Sequence, residues 1–420
     1  MKNLIVLRGA PGCGKSTFIE KWELGQYTLC ADKLRELFES PVMDNQNGKH
    51  MLSQWHDKDV WDLLLNLLEQ RMSRGELCVV DATHSRPQDF QKYKKLIEKY
   101  RYRAYCVSFA DVPIEVCKKQ NLMRPEYKHV PEEVIDKMYA RLLNFDVQGY
   151  FKVVNHNDDE TIRNIVNDYK PFDADGYEKV VVFGDIHGCW QPLKEYFDTN
   201  PFSDGILYVF TGDYTDRGIQ NKEVVEWLLQ HYEKKNVILL EGNHERWVRE
   251  YAHGEYDSDI EIVKKSLGQV ADATEKGGDQ NGFKGLCKSK EFFYNTLPQI
   301  ECFDKKDLRQ LCRSFQTIAF FKFDGKRYFV NHTGVGFLPK QLLREKASQF
   351  IYTSGGNGTY SDPVDQWFEE HELERNPDLF QIHAHRNTAN VPIRASKNSF
   401  NLCDTIESGG NLRILEITKD

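Results

Sequence analysis

The sequence NLIVLRGAPGCGKST occupies residues 3–17 and joins an apolar run to a glycine-rich loop. Residues 3–8 predict a buried strand and residues 15–22 predict a helix, so the loop lies between them. In this context the pattern G-x-x-x-x-G-K-S/T holds nucleotide phosphates on backbone N–H groups, with Lys15 on the β- and γ-phosphates and Ser16 on Mg²⁺. We predict an ATP site that includes Gly9, Gly12, Cys13, Gly14, Lys15, Ser16 and Thr17.

The first 170 residues continue as an alternation of strand and helix patterns. Further strand patterns lie at 77–81, 103–109 and 151–155, and helical patterns lie at about 15–22, 32–39, 58–73, 87–100, 113–122 and 131–145. Such alternation predicts an α/β domain with a parallel sheet and helices on both faces. The stretch PFDADGY then breaks the pattern, so we predict a first domain at 1–170, a linker at 171–178 and a second domain at 179–420.

Three polar blocks follow three strand patterns at the start of the second domain. They read GDIHG at 184–188, GDYTDRG at 212–218 and GNHE at 242–245. Each block follows a strand, so the side chains meet at one rim of a sheet. Oxygen and imidazole donors without thiolate suit Mn²⁺, Fe or Zn²⁺, and two adjacent cations need a bridging carboxylate. The blocks predict a two-metal site at that rim.

Later segments predict hairpins around two glycine turns. Residues 317–323 and 326–331 pair around Asp324-Gly325, and 398–403 and 411–417 pair around Gly409-Gly410. The sequence KFDGKR at 322–327 also matches the K-x-D-G-x-R motif of nucleotidyl-transferase ligases, but Asp-Gly is a turn signal and we assign it to the first hairpin. Residues 250–316 carry no motif and predict an insert.

Composition limits the class of protein. The net charge is −8, and residues 1–170 carry 26 basic and 25 acidic side chains, so any nucleic acid would be gripped locally. The basic stretch at 92–103 has aromatic residues between its lysines and could contact RNA, but we expect a solvated helix face with Leu96 and Ile97 towards the core. Trp55 and Trp61 are also expected in the core. The chain has no apolar run long enough for a membrane span, and scattered cysteines inside a nucleotide-binding chain favour a reduced, cytoplasmic setting.

A second pair of polar residues follows the glycine-rich loop. Asp32 and Arg35 stand one helical turn apart in CADKLR. A carboxylate can accept the proton of an attacking hydroxyl while a guanidinium holds a neighbouring anion. The alternative is a helix cap with a surface ion pair.

With VVDAT at 79–83 and Arg124-Pro125 before a helix, these pieces resemble the 5′-OH polynucleotide kinase module of bacterial RNA end-healing enzymes. The resemblance implies that Asp32 is the general base, that Arg35 binds the acceptor's phosphate, and that Arg124 closes over ATP. His84 stands where that family often has Asn.

The second half resembles the calcineurin-like metallophosphatases, which implies an α/β domain with central packed sheets. The resemblance implies one metal on Asp185 and His187, Asp213 as the bridge, and Asn243 on the other metal. Two further ligands come from later strands, His332 from NHTG and His385 from IHAHR, with His383 as the alternative to His385. It also implies that His244, oriented by Asp216, protonates the leaving oxygen and that Arg217 holds phosphate oxygens.

A predicted kinase domain followed by a predicted phosphatase domain in one chain resembles the bacterial polynucleotide kinase–phosphatases, here without the ligase domain. The resemblance implies RNA end healing, with RNA or DNA ends as substrates, ATP and Mg²⁺ in the kinase, two divalent metals (Mn²⁺ expected) in the phosphatase, and a separate RNA ligase. Homo-oligomers are compatible with it. Two other readings stay open: a small-molecule or nucleoside kinase fused to a protein or dinucleoside-polyphosphate phosphatase, and a non-catalytic sensor.

Overall fold

The computed structural model describes residues 2–44, 48–147, 149–258, 260, 291–352, 361–386 and 392–419. The chain divides into two compact units. The first comprises Met1–Tyr169 together with Pro339–Ala347, and the second comprises Lys170–Leu338 together with Ser348–Asp420.

The first unit contains a five-stranded parallel sheet. Its strands are β1 (Asn3–Arg8), β2 (Thr28–Cys30), β5 (Cys78–Asp81), β6 (Arg103–Ser108) and β7 (Phe151–Asn155). They lie in the order β2, β5, β1, β6, β7, and every neighbouring pair is parallel. A separate two-stranded hairpin consists of β3 (Val42–Met43) and β4 (His50–Met51).

Helices cover both faces of this sheet. Along β1, Leu4 and Val6 join one apolar cluster while Ile5 and Leu7 join the cluster on the opposite face. Because successive side chains of a strand alternate between faces, the continuous apolar run of β1 fits a strand buried on both sides. The helices are α1 (Lys15–Lys21), α2 (Ala31–Phe38), α3 (Asp57–Ser73), α4 (Gln88–Gln91), α5 (Lys94–Tyr100), α6 (Ile114–Asn121), α7 (Glu132–Leu143) and α8 (Asp159–Val166).

Several details of this unit differ from the sequence expectations. The helix expected at 87–100 is two helices, α4 and α5, with Lys92 and Tyr93 between them. Strand β2 and helix α8 were not predicted. Trp55 was expected in the core and is 86% exposed, whereas Trp61 packs partly buried against the core. In the basic stretch, Ile97 is buried and Leu96 packs against the same cluster, as expected.

The second unit contains two sheets. Their strands are β8 (Phe172–Asp173), β9 (Lys179–Phe183), β10 (Ile206–Phe210), β11 (Val237–Leu239), β12 (Ile318–Phe323), β13 (Lys326–Asn331), β14 (Leu379–His383), β15 (Ser399–Asn401) and β16 (Ile414–Thr418). The first sheet has the order β11, β10, β9, β16, with β9 to β11 parallel and β16 antiparallel to β9. The second sheet has the order β15, β14, β13, β12, β8.

The two sheets pack face to face. One apolar cluster joins Val182 and Val209 of the first sheet to Phe321 and Val330 of the second. The other face of the first sheet is covered by helices, and Phe210 belongs to that second cluster. The described helices of this unit are α9 (Trp190–Thr199), α10 (Asn221–His231), α11 (Glu245–Ala252), α12 (Leu297–Ile300), α13 (Lys305–Ser314) and α14 (Val364–Glu372). The predicted α/β class, a parallel-sheet domain followed by one with packed sheets, is confirmed.

One predicted hairpin is confirmed and the other is wrong. Strands β12 and β13 pair antiparallel around Asp324-Gly325, where both residues have positive φ. By contrast, β15 and β16 do not pair with each other: β15 adds to β14 in one sheet and β16 adds to β9 in the other. Gly409-Gly410 therefore connects two sheets instead of closing a hairpin.

Two other predicted segments have structure of their own. In the predicted linker, β8 pairs with β12, so Phe172 and Asp173 belong to a sheet. Of the predicted insert at 250–316, residues 259 and 261–290 lie outside the described residues. The described part is helical and includes Phe292–Thr296, a π-helix that leads into α12.

Pro339–Ala347 belongs to the first unit although the chain on either side of it belongs to the second. Arg344 holds this segment to the rest of the first unit through hydrogen bonds. The guanidinium donates to the carbonyl of Trp22 at 2.8 Å and to Oδ1 of Asn167 at 2.7 Å, just beyond the carboxyl ends of α1 and α8. Its Nε also donates to the carbonyl of Val166 at 3.3 Å, and carbonyl groups at helix ends such as those of Trp22 and Val166 lack intrahelical partners.

Within the described ranges, no helix has the length and apolar character needed to cross a membrane. Nine of the ten cysteines lie in those ranges, and all nine are free thiols.

Candidate functional site

The phosphate-binding loop connects β1 to α1. Gly12 and Gly14 have φ values of +78° and +99°, which other residues adopt only with strain. A Cβ on Gly12 would lie 2.2 Å from the carbonyl oxygen of Cys117 on α6, so the loop backbone needs glycine there for space as well. The sequence pattern is thus matched by the local geometry.

The reactive side chains of the loop are arranged around Lys15. Its Nζ donates to the carbonyl oxygens of Gly9 and Ala10 at 2.9 and 3.0 Å, and Cys13 is buried beneath the loop. Burial disfavours the Lys15 ammonium, yet the neighbouring Cys13 thiol and the Asp81 carboxylate raise the pKa of Lys15. Ser16 and Thr17 are exposed at the start of α1. Asp81, at the end of β5, is therefore a further residue of this site.

Asp32, Arg35 and Arg124 come together although Arg124 lies 92 residues after Asp32. Arg35 Nη1 is 2.7 Å from Asp32 Oδ1, and Arg124 Nη2 is 3.5 Å from Asp32 Oδ2. The second arm of Arg35 pairs with Asp57, the first residue of α3. The Asp32 side chain is 41% exposed and Arg35 only 17%. A guanidinium is thus held beside an accessible carboxylate, and Asp57 is a contributor that the sequence expectations missed.

His84 has a role inside the fold. One ring nitrogen lies 2.6 Å from the carbonyl oxygen of Leu7 and the other 2.8 Å from the hydroxyl of Tyr93. Burial lowers the pKa of His84 to about 4, so the ring is neutral. It connects the end of β1 to the residues before α5.

In the second unit, the expected metal ligands follow the ends of five strands. Asp185 and His187 follow β9, Asp213 follows β10, Asn243 follows β11, His332 follows β13 and His385 follows β14. The two sheets therefore present their ligands on a common rim.

Asp213 is the centre of this group. Its Oδ2 lies 3.3 Å from His332 Nε2, 3.6 Å from His187 Nε2 and 3.9 Å from His385 Nδ1. Two sets of side chains offer ligand atoms within 4.8 Å of one another, namely His187, Asp213 and His244, and Asp213, His332 and His385. Asp213 belongs to both sets, as a bridging ligand requires.

The electrostatics of the rim favour bound cations. Oδ1 of Asp185 is buried, and among the described residues no hydrogen bond reaches it. Burial raises the pKa of Asp185 to about 6. Burial also acts on Asp213, but the His332 and His244 imidazoles outweigh it and hold the pKa of Asp213 well below its usual range. Buried carboxylates are costly unless they are paired or bind metal.

His332 is oriented as a metal ligand. Its Nδ1 lies 2.9 Å from the carbonyl oxygen of Thr211, which can only accept a hydrogen bond. Burial lowers the pKa of His332, but the Asp213 and Asp185 carboxylates outweigh it and raise that pKa to about 9, so Nε2 releases its proton when it binds a cation. Once deprotonated, Nε2 offers a lone pair, and it faces Asn243 Oδ1 at 3.2 Å and Asp213 Oδ2 at 3.3 Å. Three acceptors converging on one point fit a cation between them.

His244 is paired with Asp216. Nδ1 of His244 lies 2.7 Å from Asp216 Oδ2, and the other carboxylate oxygen accepts a hydrogen bond from Thr296. Burial lowers the tendency of His244 to ionise, but the carboxylates of Asp213 and Asp216 outweigh it and raise the pKa of His244 to about 9. The imidazolium that results is a proton donor at neutral pH.

Arg217 lies at the exposed edge of the site. Its side chain is 37% exposed, and Nη1 is 2.7 Å from Glu407 Oε1. Glu407, which is 190 residues further along the chain, was not expected there. The ion pair holds the guanidinium beside the metal rim while part of it stays accessible.

His383, the alternative to His385, is engaged elsewhere. Its Nε2 lies 2.9 Å from Asp365 Oδ1 and its Nδ1 lies 3.0 Å from the carbonyl oxygen of Ala384. Asp365 also accepts a hydrogen bond from Ser399. With both ring nitrogens occupied, His383 serves the packing of β14 against α14 and β15, and His385 remains as the ligand candidate.

Glu245, the last residue of GNHE, has a structural role that the sequence did not predict. Its carboxylate accepts hydrogen bonds from the backbone N–H groups of Asp213, Tyr214 and Gly242 at 2.7–2.9 Å. It therefore fixes the backbone that carries the bridging ligand. Gly242 is equally constrained, because a Cβ there would lie 2.2 Å from Asp213 Oδ1.

Comparison with known proteins gives a family for the larger part of the chain. The family model described as calcineurin-like phosphoesterase matches residues 178–405. The chain belongs to this family. A model described as an AAA domain matches residues 4–144, and the order of a P-loop kinase-like domain before a calcineurin-like phosphatase domain is thus as predicted. A calcineurin-like phosphoesterase domain implies divalent metals, and a P-loop kinase-like domain implies a nucleotide with Mg²⁺.

Individual relatives are more distant. The serine/threonine-protein phosphatase PP1-delta of Caenorhabditis elegans is 34% identical over 118 residues, which are 26% of this chain and 39% of that protein. This chain therefore spans well under half of the relative's length.

Among solved structures, a putative diadenosine tetraphosphatase has a TM-score of 0.35 at 16% identity over 61% of this chain and 99% of its own. The Pnkp1/Rnl/Hen1 RNA repair complex has a TM-score of 0.29 at 17% identity over 58% of this chain and 80% of its own.

Proposed function

We propose that this calcineurin-like phosphoesterase is an RNA end-healing enzyme. The first unit transfers the γ-phosphate of ATP to a 5′-OH end. The second removes a 3′-phosphate, 2′-phosphate or 2′,3′-cyclic phosphate with two divalent metals, for which Mn²⁺ is the expected pair. The products, a 5′-phosphate and a 3′-OH, are the ends that a separate RNA ligase joins.

The observation that carries the kinase half of this proposal is the Asp32–Arg35 pair. A general base alone would serve any alcohol, including a nucleoside. The guanidinium held beside it by Asp57 is suited to an acceptor that has its own phosphate next to the reacting hydroxyl. Arg124, within 3.5 Å of Asp32, stands where it can close over the transferred phosphate.

In the phosphatase half, each side chain has a distinct task. The metals would be held by Asp185, His187, Asp213, Asn243, His332 and His385, and when bound they would supply an activated water and neutralise phosphate charge. His244, oriented by Asp216, delivers a proton to the leaving oxygen. Arg217 binds non-bridging phosphate oxygens from the rim.

The test uses one RNA oligonucleotide with a 5′-OH and a 2′,3′-cyclic phosphate, and a DNA oligonucleotide with a 5′-OH and a 3′-phosphate. Each is incubated with ATP, Mg²⁺ and Mn²⁺, and both ends are followed. We expect wild type to process both ends of the RNA, Asp32→Ala to lose only 5′-phosphorylation, and Asp213→Ala to lose only 3′-dephosphorylation.

A wild type that leaves both oligonucleotide ends untouched would refute the proposal. Hydrolysis of a phosphoprotein or of a dinucleoside polyphosphate in the same preparation would instead support a kinase fused to a signalling phosphatase.

A further inference from the structure

Aromatic side chains are exposed next to the Asp32–Arg35 pair. Phe38 is the last residue of α2, and its ring stacks on the ring of His56 with centroids 6.0 Å apart and planes inclined by 19°. Phe38 is 41% exposed, and Trp55, the neighbour of His56 in sequence, is 86% exposed. Phe38 and His56 thus form a stacked pair, and the backbone carries the exposed Trp55 directly before that pair.

Phe38 and His56 are tied to the two helices that hold Arg35 and Asp57, because Phe38 ends α2 and His56 is the residue before α3. Arg35 on α2 pairs with Asp57 at the start of α3. One turn further along α2, Phe38 stacks on His56, the residue before Asp57. Phe38 therefore lies six residues after Asp32, roughly 9 Å along the helix axis, a span that one nucleotide can bridge.

We propose that Phe38, His56 and Trp55 form a stacking surface for the nucleobase of the 5′-terminal nucleotide in the acceptor strand. This inference rests on the proposed 5′-OH kinase activity. In this arrangement the 5′-hydroxyl of the first nucleotide lies at Asp32 and the base of that first nucleotide lies on the rings. The phosphate that joins the first nucleotide to the second lies at Arg35.

A nucleobase is the occupant that this surface fits best. An aromatic surface beside a guanidinium is the usual arrangement for an unpaired strand, whose bases stack on rings while cations hold its phosphates. Every base has a π-face, so the surface tolerates any terminal base but requires one. It therefore selects unpaired nucleic-acid ends over alcohols that lack a base.

The experiment compares two 5′-OH RNA oligonucleotides that differ only at the first nucleotide, which is adenosine in one and abasic ribose in the other. We measure kcat/KM for 5′-phosphorylation with wild type, Trp55→Ala and Phe38→Ala. Tyr150→Ala is the control, because Tyr150 is an exposed aromatic residue of the same unit that bonds Glu98.

We expect wild type to prefer the adenosine oligonucleotide by roughly tenfold or more, the usual contribution of one stacked base. Trp55→Ala and Phe38→Ala should lower that preference and leave the abasic substrate unaffected, and Tyr150→Ala should behave as wild type. Trp55 is so exposed that its removal does not threaten folding.

Equal rates on the two oligonucleotides in wild type, or equal losses on both in Trp55→Ala, would overturn the stacking surface while leaving the kinase activity standing. Failure of wild type to phosphorylate either oligonucleotide would overturn the kinase activity itself, and the stacking surface with it.

Discussion

Asp216 and His244 form a carboxylate–imidazole pair at the edge of the metal rim, with 2.7 Å between Oδ2 and Nδ1. If His244 protonates the leaving oxygen, its importance depends on how basic that oxygen is. We expect His244→Asn to lower kcat on an alkyl phosphate about 10²- to 10⁴-fold, the usual contribution of a general acid. On p-nitrophenyl phosphate, whose leaving group needs little protonation, the loss should be much smaller.

Asp216→Asn should show the same dependence on the leaving group, because the carboxylate orients and stabilises the imidazolium. Kinase rates of both variants serve as the control. Equal losses on the two phosphate esters would contradict the acid role and favour His244 as a metal ligand.

Substitution of Gly242 measures how little space the backbone leaves around the carboxylate of Asp213. A methyl group there would displace Asp213, whose Oδ1 and backbone N lie 2.2 and 2.4 Å from the Cβ position. We expect Gly242→Ala to abolish most phosphatase activity and to lower metal content, while ATP-dependent phosphorylation continues. Gly176→Ala is the matched control, since a Cβ at Gly176 meets nothing within 4 Å. Full phosphatase activity in Gly242→Ala would mean that the site accommodates a shift of Asp213.

His383 and His385 lie two residues apart but are expected to have different roles. His383 packs β14 against its neighbours, and His385 is the candidate metal ligand. We expect His385→Asn to reduce the bound metal per chain, because its Nδ1 lies 3.9 Å from Asp213 Oδ2 within the ligand group. His383→Asn should keep its metal but lower the thermal stability, because it leaves the buried Asp365 without its imidazole partner. Metal analysis and thermal unfolding of the two variants decide the matter, and the reverse pattern would exchange the two roles.

His84 gives the first unit a pH-dependent stability. Its pKa is lowered from 6.5 to about 4 by burial. Above pH 6.5 the ring is neutral in both folded and unfolded chains, and its contribution to stability is complete. As the pH falls from 6.5 towards 4, the unfolded chain takes up a proton that the folded chain does not, so stability falls by up to about 3 kcal/mol at 1.36 kcal/mol per pKa unit.

Hydrogen exchange of the β1 amides at several pH values across that window, corrected for intrinsic rates, measures this loss. His84→Gln, which can still donate to Leu7 and accept from Tyr93, should show a flatter pH dependence than wild type. The same slope in both proteins would assign the effect to other groups.

The sequence groups the predicted residues of both sites for a physical reason. A glycine-rich loop is recognised from neighbouring residues alone. The ligand blocks stand at strand ends, which parallel pairing brings to one rim, so Asp185, Asp213 and Asn243 could be placed together before the fold was known.

What could not be predicted depends on partners far apart in the chain. Strand β16 pairs with β9, more than two hundred residues earlier, and nothing near Gly409-Gly410 distinguishes that from a hairpin. Glu407 reaches Arg217 across 190 residues. Glu245 bonds backbone groups of residues 213 and 214, a role that its place in GNHE does not reveal.

Because the nine residues Pro339–Ala347 belong to the first unit, no single cut in the coding sequence separates the two units completely. A fragment that stops at residue 169 would lack Arg344 and leave the carbonyl of Trp22 and the side chain of Asn167 without its guanidinium. A shuffled or transplanted kinase half would need this peptide supplied from the other half. Recombination at a single crossover therefore does not yield two self-sufficient modules, and the two coding regions are expected to be inherited as one unit.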